Sequence, residues 1–168
     1  MIRNNNNHET VFIGMRNDYV FHSVLQNSET ALKALVSALM DIPLSEIHQC
    51  VVENPIIYGS YNNSKESILD VRLILNNSRN IDIEMQVRKH KWWVDRTLYY
   101  WGRTYDRLSR GTNYDKLIPT YHIGILDYSL FPDDPHFYAE YRIKNTETGR
   151  EYSNKLIFLV LDMTKPEL

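Results

Sequence analysis

Residues 70–87 constrain the fold more than any other stretch of the chain. In Ile81-Asp82-Ile83-Glu84-Met85-Gln86-Val87 every odd position is apolar and every even position polar. In Asp70-Val71-Arg72-Leu73-Ile74-Leu75 the odd positions are again apolar, while Asp70 and Arg72 are even. Side chains of a β-strand alternate between sheet faces, so both segments predict strands with a buried odd face and a polar even face. Between them, Asn76-Asn77-Ser78-Arg79-Asn80 is turn chemistry, because Asn and Ser satisfy local backbone groups and Asn tolerates the left-handed region. The expectation is an antiparallel hairpin around a five-residue turn. Pairing Leu75 with Ile81 sets Asp70 opposite Gln86 and Arg72 opposite Glu84; a two-residue slip sets Asp70 opposite Glu84. Either register keeps the even positions on one face. Directly opposite Cβ atoms there lie about 4.5–5.5 Å apart and diagonal ones about 7–8 Å, so Asp70 and Glu84 can converge on one point.

The surrounding chain reads as one domain, residues 1–168, with residues 1–14 expected to be flexible. Its 168 residues are 43% hydrophobic and 24% charged, near the globular average, which excludes disorder and coiled coil. Helices are predicted over residues 18–25, from a Ser28 or Thr30 cap through Met40, and over residues 91–108 with Gly111 as a stop. A short turn or helix restarts at Pro43 and Ser45. Cys50 to Val52, continuing through Ile56 to Tyr58, reads as one early strand, with further strands over 68–75, 81–87, 118–126, 137–143 and 156–161. Thr148-Gly149 falls in the turn of the last pair. Helices outside a run of strands predict an α/β or α+β fold with one mixed sheet, with the last two strands as a C-terminal β-hairpin. No apolar run approaches a membrane span, and the polar start is unlike a signal peptide. A lone cysteine, Cys50, excludes an internal disulfide, and a cytoplasmic location is expected.

The net charge of −2 hides an asymmetry. Residues 88–110 hold seven Lys or Arg and two Asp, a local net of +5, which leaves −7 on the other residues. Such a segment is either a solvated helix face or a surface for a polyanion. Arg96, Tyr100, Arg103 and Arg107 fall on one side of a 3.6-residue period and could track a phosphate backbone, with Tyr100 or Trp101 as a stacking surface. Trp92, Trp93, Leu98, Trp101 and Tyr105 compete as a packing face. The six histidines are scattered without zinc-type spacing, and no glycine-rich phosphate loop or serine-nucleophile motif is present.

Two acids converging on a sheet face beside an amide form a hard oxygen site suited to Mg²⁺ or Mn²⁺. The alternative is that Asp82, Glu84 and Gln86 are the wet side of an amphipathic strand. Asp70, followed by Glu84-Met85-Gln86, resembles the active-site signature of the PD-(D/E)XK nuclease superfamily. More narrowly, the chain resembles the recombination-promoting nuclease/transposase family, in which Gln commonly takes the place of Lys. The resemblance runs through Asn17-Asp18-Tyr19-Val20-Phe21, Leu69-Asp70-Val71, residues 80–88, Arg96-Thr97-Leu98-Tyr99-Tyr100-Trp101, Gly111-Thr112-Asn113-Tyr114 and Leu117-Ile118-Pro119. Leu69 replaces the usual Pro, and His22 stands where a Lys is common.

The resemblance implies a restriction-endonuclease-like core and an Mg²⁺-dependent endodeoxyribonuclease, with a link to transposition or recombination. Asp70, Glu84 and the Met85 carbonyl would hold the cation, with Asp18 as an additional acid. Gln86, which has neither acid nor base, would orient the attacking water. Arg88, Lys89, Arg96, Tyr100, Arg103 and Arg107 are the candidate DNA contacts. DNA is the expected partner, and a homodimer would rationalise double-strand cutting. Relatives tend to continue into a further helical C-terminal region, so residues 1–168 correspond to a catalytic core or a short member. The alternative is a non-catalytic nucleic-acid-binding or assembly module that keeps the nuclease fold.

Overall fold

The computed structural model describes residues 18–53, 56–57, 67–68, 71–106 and 108–166. The expectation of flexibility over residues 1–14 lies outside them. Helix α1 (Asp18–Asn27) runs directly into α2 (Glu29–Met40). Of the two candidate caps, Ser28 holds the position: its hydroxyl accepts the Ala31 backbone N–H at 3.2 Å, satisfying one of the donors a helix start leaves over. A short 3-10 turn (Leu44–Glu46) leads into the sheet region.

Eight strands follow: β1 (Cys50–Val52), β2 (Ile56–Ile57), β3 (Ser67–Ile68), β4 (Val71–Leu75), β5 (Arg79–Gln86), β6 (Thr120–Leu126), β7 (Tyr138–Arg142) and β8 (Leu156–Asp162). Helix α3 (Trp93–Tyr105) connects β5 to β6. Six strands form one mixed sheet in the order β1-β4-β5-β6-β8-β7. Strands β5, β6 and β8 are mutually parallel, and β1, β4 and β7 join antiparallel. This is the expected α/β architecture with a mixed central sheet, and β7–β8 is the expected C-terminal hairpin. The single early strand is corrected: β1 joins the large sheet, whereas β2 pairs with β3 in a separate two-stranded ribbon.

The central hairpin takes the slipped register. Leu75 pairs with Arg79 and Val71 with Ile83, so the turn is Asn76-Asn77-Ser78, and the pairing of Leu75 with Ile81 does not occur. Two consecutive residues in the left-handed region, Asn76 (φ 48°) and Asn77 (φ 52°), make this tighter turn possible. Asn76 also ties the hairpin to the chain before β1. Its Oδ1 accepts the His48 and Gln49 N–H groups at 3.0 Å, and its Nδ2 donates to the Glu46 carbonyl at 2.8 Å.

The odd face behaves as the alternation requires. Val71, Leu73, Leu75, Ile81, Ile83 and Met85 pack with Ile123, Ile125, Ile157 and Leu159 beneath Phe21 and Leu25 of α1 and Leu32, Val36 and Leu39 of α2. The even face does not. From Asn80 to Met85 every residue of β5 is buried, because α3 lies across the polar side. The buried stripe of α3 is Trp93, Thr97, Tyr100 and Thr104, spaced one or two turns apart as helical periodicity demands. A Cβ added to Gly124 of β6 would sit 2.6 Å from Cζ2 of Trp93, so the close approach of helix to sheet requires glycine there. Gly102, within α3, has open space around it. Gly124→Ala is expected to cost about 1–3 kcal/mol through overpacking, and Gly102→Ala to stabilise by about 1 kcal/mol through helix propensity; urea denaturation of the pair measures both.

Candidate active site

The even side chains of β5 make a polar row, buried from Asn80 to Glu84 and half-buried at Gln86. Asn80 Nδ2 donates to Thr120 Oγ1 of β6 at 3.1 Å. Asp82, fully buried, accepts a hydrogen bond from Thr104 Oγ1 at 2.7 Å. Glu84, only 5% exposed, is ion-paired with Arg96 in the second turn of α3. Through the same Nη2, Arg96 donates to Gln86 Oε1 at 2.7 Å. The guanidinium is held over the rings of Trp93 (5.0 Å) and Tyr100 (5.8 Å), a favourable cation–π placement. A single cationic nitrogen thus binds one oxygen each of Glu84 and Gln86.

That convergence tests whether a divalent cation suits the site. Two hard oxygen donors already meet at a position held by positive charge, which matches the ligand preference of Mg²⁺ or Mn²⁺. Among the described residues no group of three or more His, Cys, Asp or Glu is poised around such a point, so Glu84 and Gln86 need a further acid to complete a cage. Gln86 is half-buried at the C-terminal end of β5, the end of parallel strands where α/β sheets take ligands.

Arg72 Nε lies 4.0 Å from Asp82 Oδ1 and 3.3 Å from Glu53 Oε2. Burial dominates at Asp82 and pushes its carboxyl up to about 7; the Thr104 hydrogen bond pulls the other way, and nearby Glu53 adds repulsion. His122 of β6 sits across from Asp82 in the sheet register, its Nε2 3.8 Å from Glu84 Oε2. Burial, reinforced by the Arg96 charge, brings its imidazole down to about 3, so it is neutral at pH 7. Its ring lies between those of Trp93 and Phe158, at 6.0 and 6.1 Å.

The structure brings together Glu84, Gln86, Arg96 and Tyr100. Asp70 and Arg107 lie outside the described residues, as does the side chain of Asp18. Helix α1, which begins at Asp18, packs on the apolar odd face, opposite Glu84. Arg88 and Lys89 are exposed beyond β5. Of the two readings of the α3 row, packing holds for Tyr100, which is buried against the sheet, while Arg96 partners the Glu84 carboxylate. Trp101 is no free stacking surface either, since its indole donates to the Thr120 carbonyl at 2.9 Å and its ring stacks on Tyr105 at 4.6 Å. The reading of Asp82 and Glu84 as a wet strand face is overturned by their burial.

Sequence reasoning does not mark His122 or Thr104 as part of this site, and it places Trp92 only among the candidate packing residues. A signal for His122 existed: Thr120, His122 and Gly124 alternate with Tyr121, Ile123 and Ile125, the same polar-and-apolar parity as β5. Nothing in the spacing marked Thr104 as the partner of Asp82.

The PD-(D/E)XK nuclease family transposases match residues 15–167 of this chain. No curated protein and no solved structure matches it. No helix among the described residues is long and apolar enough to cross a membrane.

The two buried titrating groups oppose each other in stability. Asp82 binds its proton more tightly folded than unfolded, so stability falls as pH rises from about 3.8 toward about 7. His122 binds its proton less tightly folded, so stability rises from about 3 toward 6.5. Where the windows overlap, the slopes cancel, each being about 1 kcal/mol per pH unit. Asp82→Asn, which keeps an acceptor for Thr104, is expected to unmask a stability that climbs at that slope, about 2–3 kcal/mol in all between pH 4 and 6, read by urea titrations across pH.

Proposed function

This chain belongs to the PD-(D/E)XK nuclease family transposases, and from that membership we propose that it is a metal-dependent endonuclease hydrolysing DNA phosphodiester bonds, with a role in transposition or recombination, and that residues 1–168 act as one domain. The observation that carries the reading is the meeting of Glu84 and Gln86 oxygens at one cationic nitrogen of Arg96. The last described pair of the β4–β5 ladder is Val71 with Ile83. Asp70 directly precedes Val71 in the chain, and the proposal assigns Asp70 as the second acid. Asp70, Glu84 and the Met85 carbonyl would hold Mg²⁺ or Mn²⁺, with Asp18 at most an accessory acid. When bound, the cation supplies Lewis-acid stabilisation of charge on the phosphoryl oxygens and a more acidic water.

The chain's own residues then have separate tasks. Gln86 orients the attacking water by hydrogen bonding, a positioning role. Arg96 neutralises Glu84, and it supplies the positive charge that Lys provides in the more usual motif. Its planar fork, held over Trp93 and Tyr100, suits a phosphate oxygen once its hold on Glu84 is relaxed. Arg88 and Lys89, exposed just beyond Gln86, and Arg103 with Arg107 further along, would contact the backbone of DNA.

A second reading draws on the same ion pair. A carboxylate closed under α3 by Arg96 is also what a non-catalytic DNA-binding module would keep as a structural bridge. Metal affinity separates the two. In the nuclease reading, calorimetry detects Mn²⁺ binding that Asp70→Asn or Glu84→Gln removes and Arg96→Gln strengthens, since the guanidinium competes for the same oxygens. Purified protein is then expected to nick supercoiled plasmid with Mg²⁺ or Mn²⁺, and either acid substitution to abolish nicking. Salt-dependent DNA binding without metal affinity would favour the module.

A further inference from the structure

The stretch between β5 and α3 is the most exposed part of the basic segment. Val87, Arg88, Lys89, His90, Lys91 and Trp92 all face solvent, and no acid occurs between Glu84 and Asp95. Trp92 is 57% exposed, whereas its neighbour Trp93 is buried. An indole so exposed surrenders a large apolar surface to water. The ammonium of Lys91 lies 4.6 Å from the Trp92 ring centroid, which places a cation directly at the aromatic surface. The turn that presents the ring is built: the Trp92 N–H donates to His90 Nδ1 at 3.2 Å, and the Trp93 N–H to the His90 carbonyl at 3.1 Å.

We propose that Trp92, flanked by Lys89 and Lys91, is a stacking platform for an unpaired nucleotide of DNA, six residues along the chain from Gln86. Three cations within four residues and no acid select a polyanion over an apolar protein partner. Stacking on an exposed indole requires a base whose own face is uncovered, and inside a duplex both faces of each base are covered by neighbours. The partner is therefore single-stranded or locally unpaired DNA, recognised through phosphate charge and the π-face that every base carries. This deepens the nuclease reading by naming its substrate class, and rests on it only for the choice of DNA. The stacking surface expected at Tyr100 or Trp101 lies instead on this ring, since those two are committed to the sheet.

The test is anisotropy titration of a labelled oligothymidylate and of a duplex of equal length. Chelator is present throughout, so neither cutting nor the cation enters. The intact chain is expected to prefer the single strand. Trp92→Ala should weaken single-strand binding about 5- to 150-fold with duplex binding unchanged, and Trp92→Phe should restore most of it. Lys89→Gln with Lys91→Gln should flatten the salt dependence for the single strand by about 1.4 in log–log slope. Equal single-strand affinity in Trp92→Ala, or equal losses on both substrates, overturns the platform whether or not plasmid nicking occurs. Single-strand preference in a chain that neither binds Mn²⁺ nor nicks leaves the platform standing and removes the nuclease.

Discussion

The ion pair between Glu84 and Arg96 is the contact on which the arrangement of this fold turns. A carboxylate shut away from water costs several kcal/mol unless a partner lies close and well oriented. Glu84 is on the covered polar face of the longest strand, so its partner must come from whatever covers that face. Helix α3 therefore has a required rotation, with Arg96 at Glu84 and Thr104, eight residues on, at Asp82. The same rotation drives Trp93 onto β6, where only glycine leaves room for the ring. A polar requirement on one strand thus sets the helix angle and the residue type on the next strand.

The sheet consequently has two interiors of different character. Beneath α1 and α2 lies an aliphatic layer, non-directional and tolerant of exchange among side chains of like volume. Beneath α3 lies a layer of carboxylates, hydroxyls, an amide and a neutral imidazole, in which each contact is directional. Such a layer adds little to net stability when satisfied and costs much when one partner is removed. Such a layer suits a site, since pre-placed oxygens and a pre-placed guanidinium need little reorganisation to receive charge. Glu84 and Gln86 also stand toward the carboxyl end of β5, where parallel strands deliver side chains to ligands.

Much of this was legible beforehand. The period-two runs over 70–75 and 81–87 located the central hairpin and the face carrying Glu84 and Gln86, because parity survives a register shift of two. Both registers were open, and the slipped one is adopted because Asn76 and Asn77 accept left-handed backbone, which shortens the turn to three residues. The helical segments were found from apolar spacing and Ser28. The spacing of α3 left a basic row and a packing face both open, because charge spacing alone does not say which side of a helix meets the sheet. A buried acid on the sheet attracted the arginine inward, and Tyr100 went with it.

Alternation of apolar and polar side chains determined by itself that residues 71–75 and 81–86 lie in paired strands with Glu84 and Gln86 on a common face, since a strand has only two sides. Composition and the order of segments likewise determined an α/β chain with a basic stretch following its central hairpin. Only the tertiary structure decided that the polar face is closed by α3, that Arg96 is the cation meeting both oxygens, and that Trp92 is the exposed indole while Trp101 is half-buried. Those outcomes depend on which side of a helix is pulled toward buried charge, an energy that arises between elements distant in the chain and leaves no period in the sequence.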